Sequence, residues 1–435
     1  MFPHEEAVSS TITSECRKEL QEVIMKILTF GSCNVDYVYS VPHIVQPGET
    51  LIAEKLSLFP GGKGLNQAIS IAKAGAPVYF AGCIGKEDTM LRPIMSQAGV
   101  DLTYLQEVDV QTGQAIIQVD QNGENSIFIY HGANGAVTPE HIDRVLADFE
   151  AGDILLLQNE ISNLMYLIDR AAGKGMRIIL NLSPFEAALK EIDLRKLYCV
   201  IVNETEASQW AGTEHPFDFL FWVQQRHPAL HVVLTLGKKG SIFFQNGQCY
   251  RQQAYKTTAV DTTAAGDTFT GYYVAGLYRE LPTADIFRTA SAASAIAVSR
   301  MGAASSIPTY EEVSSLIDTM TLNASDGPEE QKQVVLSYIA AHLTDVKLAD
   351  IAALLDYTED HTGKWIQRHF EESFSDLLQR ERCRIAAEYL TATTLPVEEI
   401  IRLVGYQNGS FFRQIFQKYY QMLPLEYRQT AGQPK

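Results

Sequence analysis

Six short runs of aliphatic and β-branched residues, at positions 26–31, 78–82, 154–158, 178–181, 199–203 and 232–236, alternate with stretches of helical periodicity. Runs this apolar leave no polar face for water, so they predict strands of a parallel sheet covered by helices. Two stretches break the alternation. Positions 37–60 and 113–130 read as hairpin-like strands, the second turning at Gln121-Asn122-Gly123. The pattern ends near Ser305-Ser306-Ile307-Pro308 and is followed by a helical stretch at 310–320. Loop formers then cluster from Leu322 to Pro328, and from Gln331 onward the signal is helical, with a possible pair of helix-turn-helix units. The expected organisation is an extension at 1–24, an α/β domain at 25–320, a linker at 321–330 and an all-α domain at 331–435.

The formal net charge is -17, and it is unevenly spread. From Gln331 the chain holds 12 Lys+Arg against 13 Asp+Glu, a net of -1, which leaves -16 for the part before it. Polyanion affinity across the whole surface is therefore excluded, while local basic clusters remain open. Cys16, Cys33, Cys83, Cys199, Cys249 and Cys383 show no zinc-binding spacing and read as buried free thiols. The segment to Glu22 lacks the basic start and apolar run of a signal peptide, and no stretch of about 18 apolar residues occurs. A cytoplasmic protein without membrane contact is expected.

Two glycine clusters point to chemistry. Asp261-Thr262-Thr263-Ala264-Ala265-Gly266-Asp267 precedes the apolar, helix-like Thr268-Phe269-Thr270-Gly271. Tiny residues entering a helix leave backbone N–H groups bare for an anion, and the helix dipole adds partial positive charge. The stretch reads as a phosphoryl-transfer site, with Asp267 as proton acceptor; a plain helix cap is the alternative. Upstream, Gly61-Gly62-Lys63-Gly64-Leu65-Asn66-Gln67-Ala68 opens a second helical pattern.

With Gly31-Ser32-Cys33-Asn34-Val35-Asp36 and Asn203-Glu204-Thr205-Glu206, these segments resemble the ribokinase branch of the PfkB sugar-kinase family over about residues 27–307. The resemblance implies a ribokinase-like three-layer α/β sandwich with a small β lid over the sugar, the lid often serving dimer contact. It makes Asp267 the base and the N–H groups of Ala264, Ala265 and Gly266 the anion hole, and it puts the sugar against Asn34, Asp36, Gly62, Lys63, Asn66 and Glu160. For ATP it implies Asn203 and Glu206, the carboxylate helping to hold hydrated Mg2+, with Thr235, Gly237, Gly240, Gly266 and Ser291. A K+ site is implied at Asp261, Thr263, Ala297, Arg300, Gly302 and Ser306, several through backbone oxygen; for Ala297 and Gly302, helix packing is an equal reading.

Residues 346–428 resemble the DNA-binding domain of AraC-type regulators, two helix-turn-helix units joined by a long helix. The second unit is the clearer: 397–404, a turn at Gly405-Tyr406-Gln407-Asn408, and a recognition helix over 410–420. Ser410, Arg413, Gln414, Gln417 and Lys418 are its candidate duplex-DNA contacts, with Thr362, Lys364, Gln367 and Arg368 in the first unit. The first unit departs from the family in a short connection after Phe370 that lacks the usual glycine, and Gln421 replaces a common glycine in the second. A helical bundle for protein contact is the alternative.

Together these features imply ATP-dependent phosphorylation of D-ribose at its 5-hydroxyl by a kinase fused to a DNA-binding module. The alternatives are a regulator that uses the kinase fold as a sugar sensor, or a kinase for deoxyribose, another pentose or a nucleoside. Turnover separates sensor from enzyme.

Overall fold

The chain's computed structural model describes residues 25–430 apart from 214–218, 221, 224, 225, 247, 324–326, 356, 393 and 394. The expected extension at 1–24, Cys16 and the centre of the linker thus lie outside the described residues.

Each apolar run forms a strand: β1 (Ile27–Phe30), β4 (Tyr79–Gly85), β8 (Ile154–Gln158), β9 (Arg177–Asn181), β10 (Cys199–Asn203) and β11 (His231–Thr235). They pair in parallel and are joined by β5 (Asp101–Val108) at one edge and by antiparallel β12 (Ser241–Gln245) and β13 (Gln248–Gln252) at the other. The order is β13-β12-β11-β10-β9-β8-β1-β4-β5. β12 and β13 can be antiparallel because short turns connect them to their neighbours, whereas parallel neighbours need a crossover. The crossovers cover both faces. Helices α1 (Lys63–Lys73), α2 (Leu91–Gln97), α6 (Ala265–Tyr278), α7 (Thr283–Val298) and α8 (Tyr310–Leu316) contribute to one apolar core, and α3 (Pro139–Leu146), α4 (Leu164–Gly173) and α5 (Glu204–Ala211) to the other. Cys33, Cys83, Cys199 and Cys383 are buried free thiols, as expected.

The two interrupting stretches form a second sheet, order β3-β2-β6-β7, from β2 (Asn34–Ser40), β3 (Lys55–Gly61), β6 (Gly113–Val119) and β7 (Asn125–Tyr130). Its two antiparallel pairs meet along a parallel β2–β6 pairing. The β6–β7 turn has Gly123 at φ 82°, and the Asp120 carboxylate accepts N–H bonds from Asn122 and Glu124 at 2.8 and 3.0 Å.

The remainder is helical: α9 (Pro328–Ala341), α10 (Leu348–Leu355), α11 (Glu359–Phe370), α12 (Phe374–Ala392), α13 (Val397–Leu403), α14 (Gly409–Tyr420) and α15 (Pro424–Thr430). α10–α11 and α13–α14 form two helix-turn-helix units joined by α12. Both second helices stop at a non-glycine residue in the left-handed region, Glu371 at φ 60° and Gln421 at φ 58°, the positions where glycine is missing from the sequence pattern. Because a Cβ disfavours this conformation, Gln421→Gly is expected to stabilise the helical region by roughly 0.5–1 kcal/mol. A melting or denaturant midpoint that falls would contradict this.

Candidate functional site

A close crossing of α1 and α6 builds the centre of the site. Gly271 permits it, since a Cβ there would stand 2.2 Å from Ser70 Oγ, and Ser70 Oγ donates to the Thr268 carbonyl at 2.9 Å. Ala264, at φ 60°, turns the chain into α6, so Asp267 lies in the first helical turn facing α1. Asn66 Nδ2 donates to Asp267 Oδ2 at 3.0 Å and Gln67 Nε2 to Oδ1 at 2.9 Å. Burial pushes the Asp267 carboxyl above its ordinary range, against the opposing pull of Lys63 and these two amides. A desolvated carboxylate held at both oxygens is a poised proton acceptor.

Sequence reasoning missed the support behind it. Gln67 Oε1 accepts from Gln158 Nε2 at 2.7 Å, and both amides are buried. Gly31 leaves the room this needs, as its Cβ would fall 2.1 Å from Gln158 Oε1. Ser32 is a second omission, its hydroxyl donating to Glu160 Oε2.

The expected sugar residues converge beside Asp267. Glu160 receives the Lys63 N–H at 3.2 Å and stands 3.3 Å from Lys63 Nζ. Burial disfavours the Lys63 ammonium, but Glu160 and Asp267 together outweigh it and hold its pKa above the ordinary value. Asn34 Oδ1 accepts from Asn134 Nδ2 at 2.7 Å, which adds Asn134 to the site. Gly61 gives space to Asp36, whose carboxylate would lie 2.2 Å from a Cβ there, and Gly62 begins α1 at φ 92°. Among the described residues the buried Asn66 Oδ1 has no hydrogen-bond partner, an acceptor left for a ligand hydroxyl.

Asp36 is raised from 3.8 to about 7 by burial and then by Glu160, with Lys63 opposing. An ionised carboxylate accepts hydroxyl hydrogen bonds more strongly than a protonated one. Sugar KM is therefore expected to fall as pH rises from 6 to 8, and Asp36→Asn to flatten that profile. Without sugar the sign for stability is opposite. The folded chain holds a proton that the unfolded chain has lost, so stability declines as pH rises from about 4 to about 7. A wild-type KM that rises across this window would contradict the assignment.

From Asp267 a cavity of about 1090 Å³ extends along the ends of β10 and β11, lined by Ala264, Ala265, Gly266, Asn203, Glu206, Thr235, Gly237, Gly240 and Ser291 among others. A Cβ at Gly266 would meet open space, so ligand atoms can reach the first turn of α6. The Ala265 N–H departs from the anion-hole expectation, since it donates to the Thr262 carbonyl at 3.3 Å. The Asn203–Glu206 motif is a capping box, each residue's side chain accepting the other's N–H at 2.9 Å. It fixes the buried Glu206 carboxylate at the cavity wall, where it suits a hydrated divalent cation. Gly240, at φ 101°, lies so close to β13 that a Cβ would stand 1.9 Å from the Gln252 carbonyl. Ser291 Oγ donates to the Gln253 carbonyl at 3.3 Å.

Asp261 ties two loops together, accepting the Thr263 N–H at 2.9 Å and the Gly302 N–H at 3.0 Å. Burial works against its charge, but these bonds more than offset it and lower its pKa. The Arg300 side chain is directed to Glu312 at 2.9 Å, the Ala297 carbonyl accepts the Arg300 N–H at 3.0 Å, and Ser306 Oγ donates to the Ala303 carbonyl at 2.8 Å. Among the described residues no group of three or more His, Cys, Asp or Glu side chains could hold a metal.

In the helical region, Asn408 caps α14 by accepting the Ser410 and Phe411 N–H groups at 3.0 and 3.1 Å. Ser410, Gln414, Gln417 and Lys418 are exposed; Arg413 is half-buried and paired with Glu398, and Lys418 stands 3.7 Å from Asp376. On α11, Lys364, Gln367 and Arg368 are exposed. Thr362 overturns its expectation. It is buried on the inner face with Trp365 and Ile366, and its hydroxyl donates to the Thr358 carbonyl at 2.9 Å, so it cannot reach a base.

Residues 25–310 match the pfkB family of carbohydrate kinases, and residues 351–430 match a helix-turn-helix domain, here of the AraC type. A ribokinase from Haemophilus influenzae is 34% identical over 305 residues, covering 66% of this chain and 97% of that protein. A deoxyribokinase from Salmonella typhi is 30% identical over 239 residues, 52% of this chain and 76% of the relative. The structure of Arabidopsis thaliana ribokinase complexed with ribose and ATP superposes with a TM-score of 0.60 at 29% identity, covering 67% of this chain and 98% of that one.

Proposed function

Because the chain belongs to the pfkB family of carbohydrate kinases and ends in an AraC-type helix-turn-helix domain, we propose that it transfers phosphate from ATP to the 5-hydroxyl of D-ribose and reads duplex DNA. The observation that carries the kinase reading is Asp267, half-buried and held at both oxygens by Asn66 and Gln67, with Lys63 and Glu160 near it. Asn34, Asp36, Asn66 and Glu160 would bind the sugar hydroxyls and set the 5-hydroxyl against Asp267. Asp267 takes the hydroxyl proton as oxygen forms its bond to the γ-phosphorus, and the bond to the bridging oxygen breaks to release ADP. N–H groups at the start of α6 and the Lys63 ammonium offset the charge on the transferred group. Mg2+, held through water by Glu206, would supply charge neutralisation at the phosphates.

On this reading Asp261, Thr263, Ala297, Arg300, Gly302 and Ser306, several through backbone oxygen, would hold K+, which would stabilise the loops that Asp261 joins. The cytoplasm, where ATP is available, is the corresponding location. β7 is exposed along its length, with Ile127, Phe128, Ile129 and Tyr130, and Leu58 and Phe59 of β3 are also open; a second copy covering this sheet makes a homodimer. Among the described residues no helix is long and apolar enough to cross a membrane.

The kinase reading is checked by ADP release with ribose, deoxyribose, other pentoses and nucleosides, in potassium and in tetramethylammonium at equal ionic strength. Ribose gives the highest kcat/KM and potassium the higher rate; preference for another acceptor, or equal rates in the two salts, removes that part. The DNA reading is checked by shift assays at fixed salt. Arg413→Ala weakens specific binding by about 1–3 kcal/mol if the side chain leaves Glu398 for a base edge. Equal, sequence-independent binding by the full chain and by a chain ending before Gln331 would replace DNA reading with protein contact.

A further inference from the structure

The nucleotide end of the cavity has a wall that lies beyond the kinase-family match. After α8 the chain runs back against the loop following β13. There the Lys256 N–H donates to the Thr321 carbonyl at 2.7 Å, the Asn323 N–H to the Ala254 carbonyl at 2.8 Å, and Tyr255 and Leu322 form an antiparallel bridge. Asn323 Nδ2 also donates to the Lys238 carbonyl at 2.7 Å, inside the loop over β11. Asn323 and Gly327 thereby line the same cavity as Lys238, Gly240 and Ser291.

Gly327 is the N-terminal cap of α9, so that wall continues into a helix. The α9 ring of Tyr338 and the adjoining His342 pack on Phe244 of β12, with centroids 6.2 and 5.7 Å away. Gln331 Nε2 donates to Tyr357 Oη at 3.2 Å, just before α11. Past the end of α9, the Leu343 carbonyl accepts from Arg382 Nε of α12 at 2.7 Å. A Cβ on Gly405, in the turn of the second unit, would stand 2.6 Å from that same oxygen. One helix thus joins the cavity wall, the sheet edge and both helix-turn-helix units.

Resting on the reading of this cavity as the nucleotide site, we propose that Asn323 and Gly327 are part of that site and that occupancy by an adenine nucleotide is transmitted through α9 to the helix-turn-helix units. A ligand that favours one setting of this wall favours one setting of α9, and by linkage whatever holds α9 alters nucleotide affinity equally. Asp36, Asn66 and Glu160 are not among the described residues that line this cavity; they stand on β2, on α1 and just after β8.

The experiment uses the full chain with a non-hydrolysable ATP analogue and Mg2+. Calorimetry first establishes binding; failure to bind sinks the nucleotide-site reading itself. With the analogue bound, amide hydrogen exchange is expected to change at 321–323, at 338–343 and in the 402–408 turn. Unchanged exchange in the last two segments overturns the coupling, whether or not the chain binds DNA. Asn323→Ala should weaken analogue binding and, at analogue concentrations that calorimetry shows to saturate the variant, diminish the response at 338–343; an undiminished response removes Asn323 from the route. On duplexes that the full chain selects from a random pool, saturating analogue is expected to change DNA affinity by about 5- to 100-fold. Equal affinity with and without it also overturns the proposal.

Discussion

Asp267→Asn is expected to lower turnover by about 10²–10⁴-fold while sugar binding largely survives. Asparagine keeps the shape but cannot take the hydroxyl proton, and binding residues on β2 and α1 are untouched. There is also a structural cost. Asn66 and Gln67 both donate to Asp267, so an amide at 267 sets one N–H against another donor unless a neighbour flips. Melting measured beside single-turnover rates separates the two effects. Near-normal turnover would remove Asp267 from the mechanism, whatever the melting temperature.

Glu160→Gln is expected to weaken sugar binding by roughly 2 kcal/mol, about 30-fold in KM. The carboxylate is buried and accepts from the Ser32 hydroxyl and the Lys63 N–H beside the Lys63 ammonium. The neutral side chain leaves that ammonium without its partner. A second readout distinguishes this from simple loss of packing. Glu160 helps to raise the Asp36 pKa, so its removal should move the pH dependence of KM to lower pH. An altered KM with an unmoved pH profile would show that the two carboxylates do not interact as described.

The parts of the site that were legible in the sequence are those that chemistry forces into unusual company. Glycines beside Lys63 mark places where a backbone must come close to something, and that closeness is found at Gly61, Gly62 and Gly64, whereas a Cβ at Gly266, before Asp267, would meet open space. Gln158 and Gln67 gave no such signal. A buried glutamine at the end of an apolar strand looks like the strand's polar boundary until its partner is known. β12 and β13 were also missed, because an antiparallel hairpin on the edge of a parallel sheet carries no helix to announce it. Thr362 failed through periodicity: positions 362, 365 and 366 share one helical face, and Trp365 and Ile366 need that face for the core.

The strand order has a consequence for how the chain is made. β1, the first strand of the main sheet, lies between β8 and β4, so its two neighbours begin at Tyr79 and Ile154. During synthesis at about 5–20 residues per second, β1 waits on the order of ten seconds for its second partner. Contacts this distant along the chain make the α/β part the slow step of folding, while the helical units close largely through neighbours in sequence. Until β8 arrives, the apolar edge of β1 is open to other chains. Slower translation, or a stop between residues 85 and 154, prolongs the interval in which a chaperone must cover it.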